Sequence, residues 1–479
     1  MLGLGPGNPD QLTREAWEVL GGAEEIYLRT RQHPVVAALP EGLALHSFDD
    51  LYEQHEDFAE VYRQIVKRVL ELGRRDAGVI YAVPGHPFVA EATGPEIARR
   101  ARAEGLPLRV VGGLSFVEPV LAAVGADLLP QCTVTDALEL AALHHPLFPP
   151  SQPALISQVY SAAVAAELKL TLMAVYPDEH PVTLVHAAGT DDEVVETVAL
   201  HAIDKSEHIG LLSALWLPPL GEHTSFEEFQ ELIAHLRAPE GCPWDREQTH
   251  QTLRRNLLEE AYEVLDALDA DDAKGMEEEF GDLLVQVVLH AQIATEYGEF
   301  RMADVIRGIT EKLIARHPHV FGDLDLDDAD AVIANWEHLK ADERRAKGEE
   351  KGALDGVADA LPALTQAEAY QQRAARVGFE WEQIQGVLDK VNEEVLELQE
   401  AESQEHKVAE YGDLLFVLAN LARWMDIDPE AALRAANRRF RQRFAYVEAG
   451  ARQQGRSMKD MTLAEMDALW DEGKANGAG

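Results

Sequence analysis

The first 217 residues alternate between short apolar runs and longer amphipathic stretches. Apolar runs such as 78–83 and 108–111 end in glycine-rich turns. Between such runs, residues 58–73 carry apolar side chains at the three- and four-residue spacing of a helix. Strands that alternate with helices are typical of an α/β domain. We therefore predict an α/β domain over residues 1–217.

The pattern changes after a proline-containing stretch at 216–221, which we interpret as a linker. From Ser225 onward, apolar residues recur at intervals of three and four, which is the period of amphipathic helices. A charged, glycine-containing segment at 341–356 interrupts this pattern. We predict that two all-α segments, residues 225–345 and 356–475, follow the α/β domain.

The two helical segments are copies of one another. Three matching motifs occur in the same order in both: Glu-Glu-x-x-Glu at 259–263 and 393–397, Glu-x-Gly-Asp-Leu-Leu at 279–284 and 410–415, and Trp-x-x-x-Lys at 336–340 and 470–474. The first and third pairs are each 134 residues apart. An ordered series of this kind indicates an internal duplication.

Each copy places acidic residues on the apolar face of a predicted helix. Glu260 falls in a stripe with Leu253, Leu257, Val264 and Leu268, and Glu394 falls in a stripe with Val387, Val391 and Leu398. A second acid follows one turn later, and an acidic pair leads into the next apolar helix. We predict that four carboxylates in each copy point from two helices toward one core: Glu260, Glu263, Glu279 and Asp282, then Glu394, Glu397, Glu410 and Asp413.

Carboxylates in such a cluster repel one another and are costly to desolvate unless a cation compensates them. An all-oxygen set of ligands suits Mg²⁺ or Mn²⁺ rather than zinc. A solvated acidic face is the usual alternative for a single motif of this kind. The repetition of both acidic pairs in the second copy favours a metal site.

The chain as a whole is strongly acidic, with 85 Asp and Glu against 42 Lys and Arg and a formal net charge of −43. This balance argues against nucleic-acid polymers as partners, whereas a small anionic substrate is acceptable if metal ions screen it. Most of the acids are expected only to keep the protein in solution. No apolar run reaches the ~18 residues of a membrane span, and two distant cysteines fit a reducing compartment. We expect a cytoplasmic protein with no membrane partner.

The helical half resembles the MazG family of nucleoside triphosphate pyrophosphohydrolases, whose signature is Glu-Glu-x-x-Glu followed by Glu-x-x-Asp. Cys-Pro-Trp-Asp at 242–245 and Arg-His-Pro-His-Val-Phe at 316–321 are similar to the first repeat of two-repeat members. The resemblance covers nearly all of residues 225–475. It implies an all-α fold, a homodimer, and hydrolysis of nucleoside triphosphates to a monophosphate and pyrophosphate by water attack on the α-phosphorus. It also implies that the eight carboxylates bind Mg²⁺, with Mn²⁺ as a substitute.

Basic and aromatic residues near the acids are candidates for binding the triphosphate. Arg439 and Arg443 lie one helical turn apart, and their guanidinium groups are suited to phosphates. The resemblance places Trp470 near the nucleotide. The remaining candidates are Lys390 and Lys407 in the second copy and Lys312, Arg316 and Trp336 in the first. A solvated basic face is the alternative interpretation of this run.

The first acid of each motif is the candidate for activating water. Glu259 and Glu393 are placed to orient or deprotonate the attacking water, or only to anchor a neighbouring lysine. Both alternatives are open at the level of sequence.

Three glycine-rich turns mark the α/β domain: Gly3, Gly5 and Gly7 in the first, Gly85 and His86 in the second, and Gly113 in the third. The first turn lacks the third glycine of the dinucleotide-binding fingerprint. It resembles the opening loop of tetrapyrrole methylases, which transfer a methyl group from S-adenosylmethionine, and the other turns fit further loops of that family. The resemblance covers roughly residues 1–215 and implies S-adenosylmethionine as a candidate cofactor. The chain is therefore similar to a fusion of the two families.

Two departures from the methylase pattern bear on activity. His86 stands where that family has aspartate, and we expect it to make a local turn hydrogen bond. Only Met1 and Leu2 precede the first turn, so either the true start lies upstream or the first strand is stunted. A stunted strand is expected to loosen the loop at Gly3 and to expose a neighbouring sheet edge.

Three hypotheses follow for the whole chain. The first is an active pyrophosphohydrolase with an attached nucleotide- or tetrapyrrole-related binding domain that methylates poorly or not at all. The second is a two-activity enzyme with genuine methyl transfer. The third is a non-enzymatic helical scaffold, against which the duplicated acids argue.

Overall fold

The computed structural model describes residues 1–55, 57–326, 328–329, 331–332, 335–336, 339 and 352–477. The chain divides into two compact units, Met1–Arg307 and Gly308–Gly479. The domain boundaries predicted at 217, 225, 345 and 356 rest on changes in hydrophobic periodicity, whereas this division rests on contacts within each unit. The predicted boundaries therefore stay predictions. Most of the predicted break at 341–356, including residue 345, lies outside the described residues.

Four short parallel strands form the first sheet: β1 (Leu2–Gly3), β2 (Glu25–Leu28), β3 (Ala44–Ser47) and β4 (Tyr81–Val83). Their order in the sheet is β1-β4-β2-β3. The helices of this part are α1 (Arg14–Gly21), α2 (Asp49–Gln54), α3 (Phe58–Gly73) and α4 (Thr93–Ala103). Parallel neighbours need crossover connections, which explains why short apolar runs alternate with helices along the sequence.

β1 is short, as expected, but it is paired on both sides. The Gly3 amide donates to the Val111 carbonyl at 3.0 Å, and the Leu4 amide donates to the Val83 carbonyl at 2.9 Å. The expectation of an exposed edge beside β1 is wrong, because β4 pairs with β1 on one side and Val111 bridges Leu2 on the other.

The run at 108–111 does not form the strand that its apolar pattern predicts. Only Val111 bridges Leu2, and the side chains of Leu108 and Val110 are exposed. The pattern was misleading because β1 offers only two residues for pairing.

The second sheet is mixed and contains β5 (Thr133–Asp136), β6 (Ala154–Ser157), β7 (Pro181–His186), β8 (Val194–Ala199) and β9 (Ser213–Leu217). Its order is β5-β6-β9-β7-β8, with a parallel pair at β5 and β6 and antiparallel pairs elsewhere. Its helices are α5 (Val117–Val124), α6 (Ala137–Ala141) and α7 (Ala162–Met173). Leu168, Tyr176 and Leu215 belong to the core on one face of this sheet. The start of the predicted linker, at Trp216, lies within β9.

After β9 the chain is helical throughout the described residues, as predicted. The helices of the first copy are α8 (Phe226–Arg237), α9 (Pro243–Glu247), α10 (Arg254–Asp269), α11 (Ala273–Tyr297), α12 (Met302–Arg316) and α13 (Pro318–Phe321). Those of the second copy are α14 (Ala363–Arg376), α15 (Ile384–Glu400), α16 (Gln404–Trp424), α17 (Pro429–Gln453) and α18 (Leu463–Ala475).

Turn chemistry fixes the two helix pairs that carry the acidic motifs. Between α10 and α11, Asp271 adopts a left-handed φ of 51°, and the Asp272 carboxylate accepts from the amides of Lys274 and Gly275. Between α15 and α16, the Ser403 hydroxyl caps the next helix by accepting from the His406 amide. Capped, short connections of this kind place consecutive helices side by side.

The apolar stripe predicted around Glu260 is only partly buried. Leu253 and Val264 are buried, whereas Leu257 and Leu268 are 38% and 47% exposed. A stripe identifies an apolar face but not the element that covers it. No helix in the described parts of the chain has the length and apolar character needed to cross a bilayer.

Candidate metal centre and nucleotide site

The hairpin of α10 and α11 brings the acids of the first copy together. Carboxylate oxygens of Glu260, Glu263 and Glu279 all lie within 4.8 Å of one another. Glu260 and Glu263 are one turn apart on α10, and Glu279 faces them from α11. Asp282 lies outside this group of three but is close enough to act on the charge of Glu260.

The hairpin of α15 and α16 repeats the arrangement in the second copy. Here oxygens of Glu394, Glu410 and Asp413 lie within 4.8 Å of one another. Glu397 is the outer member, and the charges of Glu394 and Glu410 still raise its pKa. Each copy therefore gathers three of its four predicted acids tightly and the fourth more loosely.

Burial and mutual repulsion raise the pKa values of the clustered acids. Burial raises the pKa of Glu260, and the nearby charges of Asp282 and Glu263 raise it further. Burial and the charge of Glu263 likewise raise the pKa of Glu279. In the second copy burial raises the pKa of Glu397, although Lys390 opposes the shift. Such shifts indicate negative charge that lacks full compensation.

One buried oxygen shows that the second cluster fits a cation. The Glu394 side chain is only 5% exposed, and its Oε2 atom has no hydrogen-bond partner. A buried carboxylate oxygen is costly to leave unpaired, and such an oxygen is a good ligand for a divalent cation. The residues present therefore fit Mg²⁺ or Mn²⁺.

The first acid of each motif pairs with a basic residue on its own helix. Glu259 Oε1 lies 3.1 Å from a guanidinium nitrogen of Arg255, and Glu393 Oε1 lies 2.9 Å from Lys390 Nζ. The lysine contact that the sequence raised as an alternative is present in the second copy, whereas in the first copy the partner is an arginine. Whether either acid also acts on water stays a prediction.

The predicted phosphate and base residues meet in matching pairs. The Arg443 guanidinium lies over the Trp470 ring at 5.8 Å from its centroid, and Arg316 lies over Trp336 at 5.9 Å. In the second copy Phe440 also contacts Trp470, with ring centroids 5.3 Å apart. Arg439, Lys407 and Lys312 are exposed on α17, α16 and α12. In each copy, therefore, one arginine makes a cation–π contact with one tryptophan.

The three glycine turns of the α/β domain converge on one another. A Cβ at Gly3 would lie 2.5 Å from the Gly85 carbonyl oxygen, and a Cβ at Gly113 would lie 2.4 Å from the same oxygen. Gly5 and Gly85 exchange backbone hydrogen bonds of 3.2 and 2.8 Å. Gly7 adopts a φ of 150° in the same first turn. The close approach at Gly3 and Gly113 is therefore backbone against backbone, and ligand binding at these turns stays a prediction.

His86 behaves as a turn residue. Its Nδ1 accepts a hydrogen bond from the Phe88 amide at 3.1 Å. This is the local contact expected from the sequence.

Sequence reasoning missed two buried groups beside these turns. His33 lies close to the backbone of Gly5 and Pro6, and burial lowers its pKa to about 4. Arg29, at the end of β2, forms an ion pair of 2.5 Å with the buried Glu91. A charged residue directly after an apolar strand was the available signal for Arg29. His33 had none, because its neighbours are distant in sequence.

Family models match three parts of the chain. The tetrapyrrole (corrin/porphyrin) methylase model matches residues 1–204, and the MazG nucleotide pyrophosphohydrolase model matches residues 248–321. A phosphoribosyl-ATP pyrophosphohydrolase model matches residues 362–440, where the second helical copy lies. These matches confirm the predicted fold class, an α/β methylase-like domain followed by MazG-like helical repeats.

The fold and the paired acidic hairpins define a hydrolase of the MazG class carrying a methylase-like domain. The chain belongs to the family of MazG–tetrapyrrole methylase fusions, and it is 42% identical to the uncharacterized protein YabN of Bacillus subtilis over 99% of this chain and 98% of that protein. It is also 44% identical to the nucleoside triphosphate pyrophosphohydrolase/pyrophosphatase MazG of Thermotoga maritima, over 52% of this chain and 95% of that protein. The nucleoside triphosphate pyrophosphohydrolase of Escherichia coli is 43% identical over 51% of this chain and 94% of its own length.

Proposed function

We propose that this chain hydrolyses nucleoside triphosphates to a nucleoside monophosphate and pyrophosphate, using Mg²⁺ held by the two acidic clusters. The observation that carries the proposal is the repeated group of three carboxylates within 4.8 Å, one of them with a buried, unpaired oxygen. The names of the MazG relatives support the substrate class. Mn²⁺ is expected to substitute, because both ions prefer oxygen ligands.

The acids divide the chemistry between them. Glu394, Glu397, Glu410 and Asp413 would hold the metal in the second copy, and Glu260, Glu263, Glu279 and Asp282 in the first. When bound, the metal draws charge off the α-phosphate and lowers the pKa of a coordinated water. Glu393 and Glu259 lie at the edge of their clusters, where a carboxylate can accept the proton of the attacking water.

The basic residues supply the remaining charge. Arg443 and Arg439 are one turn apart on α17 and would bind phosphate oxygens through their guanidinium groups. Trp470, already in contact with Arg443, offers a ring face on which a base can stack. Arg316, Lys312 and Trp336 would act in the same way in the first copy, and Lys390 and Lys407 are further phosphate contacts.

A metal-depletion experiment tests this function. The full chain, treated with chelator, is assayed against a panel of nucleoside triphosphates before and after addition of Mg²⁺ or Mn²⁺. We expect no turnover in chelator, recovery with either ion, and pyrophosphate as the inorganic product. Orthophosphate and a nucleoside diphosphate as primary products would contradict attack at the α-phosphorus.

For the α/β domain we propose binding of S-adenosylmethionine at the converging glycine turns, with little methyl transfer. The convergence of Gly5, Gly85 and Gly113 favours a small-molecule site, because glycine lets backbone atoms line it closely. His86 is a poor replacement for an acceptor carboxylate, since its Nδ1 is occupied by the Phe88 amide.

Calorimetry with S-adenosylmethionine, beside a methyl-transfer assay on porphyrinogens, tests this second proposal. We expect measurable binding and fewer turnovers than a methylase would give. Binding accompanied by many turnovers would instead establish the two-activity enzyme, and absence of binding would refute a cofactor site there.

A further inference from the structure

Lys390 contacts an acid of the second metal cluster directly. Its Nζ lies 2.8 Å from Glu394 Oε1 and 2.9 Å from Glu393 Oε1. It therefore reaches past the outer acid to an acid of the metal cluster. Glu394 is the most buried acid of that cluster, and its second oxygen has no partner.

The first copy has no lysine at this position. Glu259 and Glu393 are 134 residues apart, so the counterpart of Lys390 is Asn256. Arg255, one residue earlier, pairs with the outer acid Glu259 instead. Among the residues that the structure describes, no lysine or arginine pairs with Glu260, Glu263, Glu279 or Asp282.

The two clusters therefore differ by one cation in direct contact. In the second copy an ammonium group already compensates part of the charge at Glu394. A divalent cation held by both oxygens of Glu394 would compete with Lys390 for Oε1. In the first copy no such displacement is needed.

We propose that Lys390 is an internal counter-ion that competes with the divalent cation for Glu394, so that the first copy binds metal more tightly than the second. This inference rests on the proposed metal sites and adds an order of filling. It makes Lys390 a positioning residue, whose ammonium group, once displaced from Glu394, would be available to a phosphate of the incoming nucleotide.

Mn²⁺ binding to the full, metal-stripped chain tests this directly, with free Mn²⁺ measured by electron paramagnetic resonance and no nucleotide present. We expect a tighter and a weaker class of sites. Glu260→Gln should abolish the tighter class and Glu394→Gln the weaker one. This pair of variants assigns each class to a copy before the counter-ion is examined.

Exchanging the two corresponding residues examines the counter-ion itself. Lys390→Asn should tighten the weaker class by about fivefold, and Asn256→Lys should weaken the tighter class by a similar factor. Lys459→Asn is the matched control, because it removes the same charge from an exposed position outside the acidic hairpins. We expect it to change neither class by more than about twofold.

The outcomes separate the two claims. If Glu260→Gln and Glu394→Gln leave Mn²⁺ binding intact, the metal sites and the counter-ion role are both wrong. If those variants remove their classes of sites but Lys390→Asn changes Mn²⁺ binding no more than Lys459→Asn does, only the counter-ion role is overturned. The Asn256→Lys variant gives an independent answer if the other exchange perturbs folding.

Discussion

Glu394 shows how strongly one residue depends on its surroundings. It lies on the apolar face of α15, is buried, and has one oxygen beside Lys390 and one without a partner. Its counterpart Glu260 is less buried and is surrounded by other carboxylates. The same motif therefore has two electrostatic environments in one chain, so the copies are not expected to contribute equally.

We expect the second copy to carry most of the turnover. Glu397→Ala or Asp413→Ala should lower kcat/KM by about 100-fold or more, because each removes a metal ligand. Glu263→Ala should lower it by less than about tenfold, since the basic run beside the second cluster is richer. Steady-state pyrophosphate release on purified variants measures this, with the exposed Glu400→Ala on the same helix as control. Equal losses from both copies would show that this ranking is wrong.

At the scale of elements, the helix pairs were predictable from sequence. The three- and four-residue period identified α10, α11, α15 and α16, and the spacing of the acids placed them on facing turns. The exposure of Leu257 and Leu268 was not predictable, because periodicity does not name the partner of a face. Nor was the contact between Lys390 and Glu394, since a lysine side chain reaches several acids from one position.

The acids of the α10–α11 hairpin should give the metal-free chain a pH-dependent stability. The pKa values of Glu260 and Glu279 are raised by burial and by neighbouring carboxylates. The folded chain therefore binds more protons than the unfolded chain, and this part of the free energy of unfolding falls as pH rises above ~4.3. This contribution to the free energy of unfolding is fully lost once the pH exceeds the raised pKa values of Glu260 and Glu279.

Thermal unfolding in chelator at pH 5 and pH 7.5 measures this effect. The double variant Glu260→Gln with Glu279→Gln should show a smaller Tm difference between the two pH values than the parent chain. The exposed Glu277→Gln, on the same helix, should behave like the parent. An unchanged Tm difference in the double variant would mean that the cluster does not couple protonation to folding.

At the scale of the whole molecule, the single chain leaves large apolar faces uncovered. Five residues of α12 are between 38% and 47% exposed: Val305, Ile306, Ile309, Leu313 and Ile314. Contiguous apolar patches of this kind mark interaction surfaces. The high net negative charge makes non-specific association of such faces less favourable. We therefore expect this face to contact a specific partner, which the family resemblance gives as a second copy.

We expect the chain to be a dimer that depends on α12. Ile309→Asp with Leu313→Asp places two charges one turn apart on the exposed apolar face and should shift the protein toward monomer. Sedimentation velocity at micromolar concentration measures the change, and Glu311→Gln on the same helix is the control. A monomeric parent chain, or a double variant that stays dimeric, would remove α12 from the interface.

The most direct test of the proposed chemistry is the position of the oxygen that water contributes. The full chain is incubated with a nucleoside triphosphate and Mg²⁺ in ¹⁸O-labelled water, and both products are analysed by mass spectrometry. Attack at the α-phosphorus predicts one ¹⁸O in the nucleoside monophosphate, unlabelled pyrophosphate, and no product when chelator replaces Mg²⁺. Label in pyrophosphate, or a nucleoside diphosphate with labelled orthophosphate, would contradict the account.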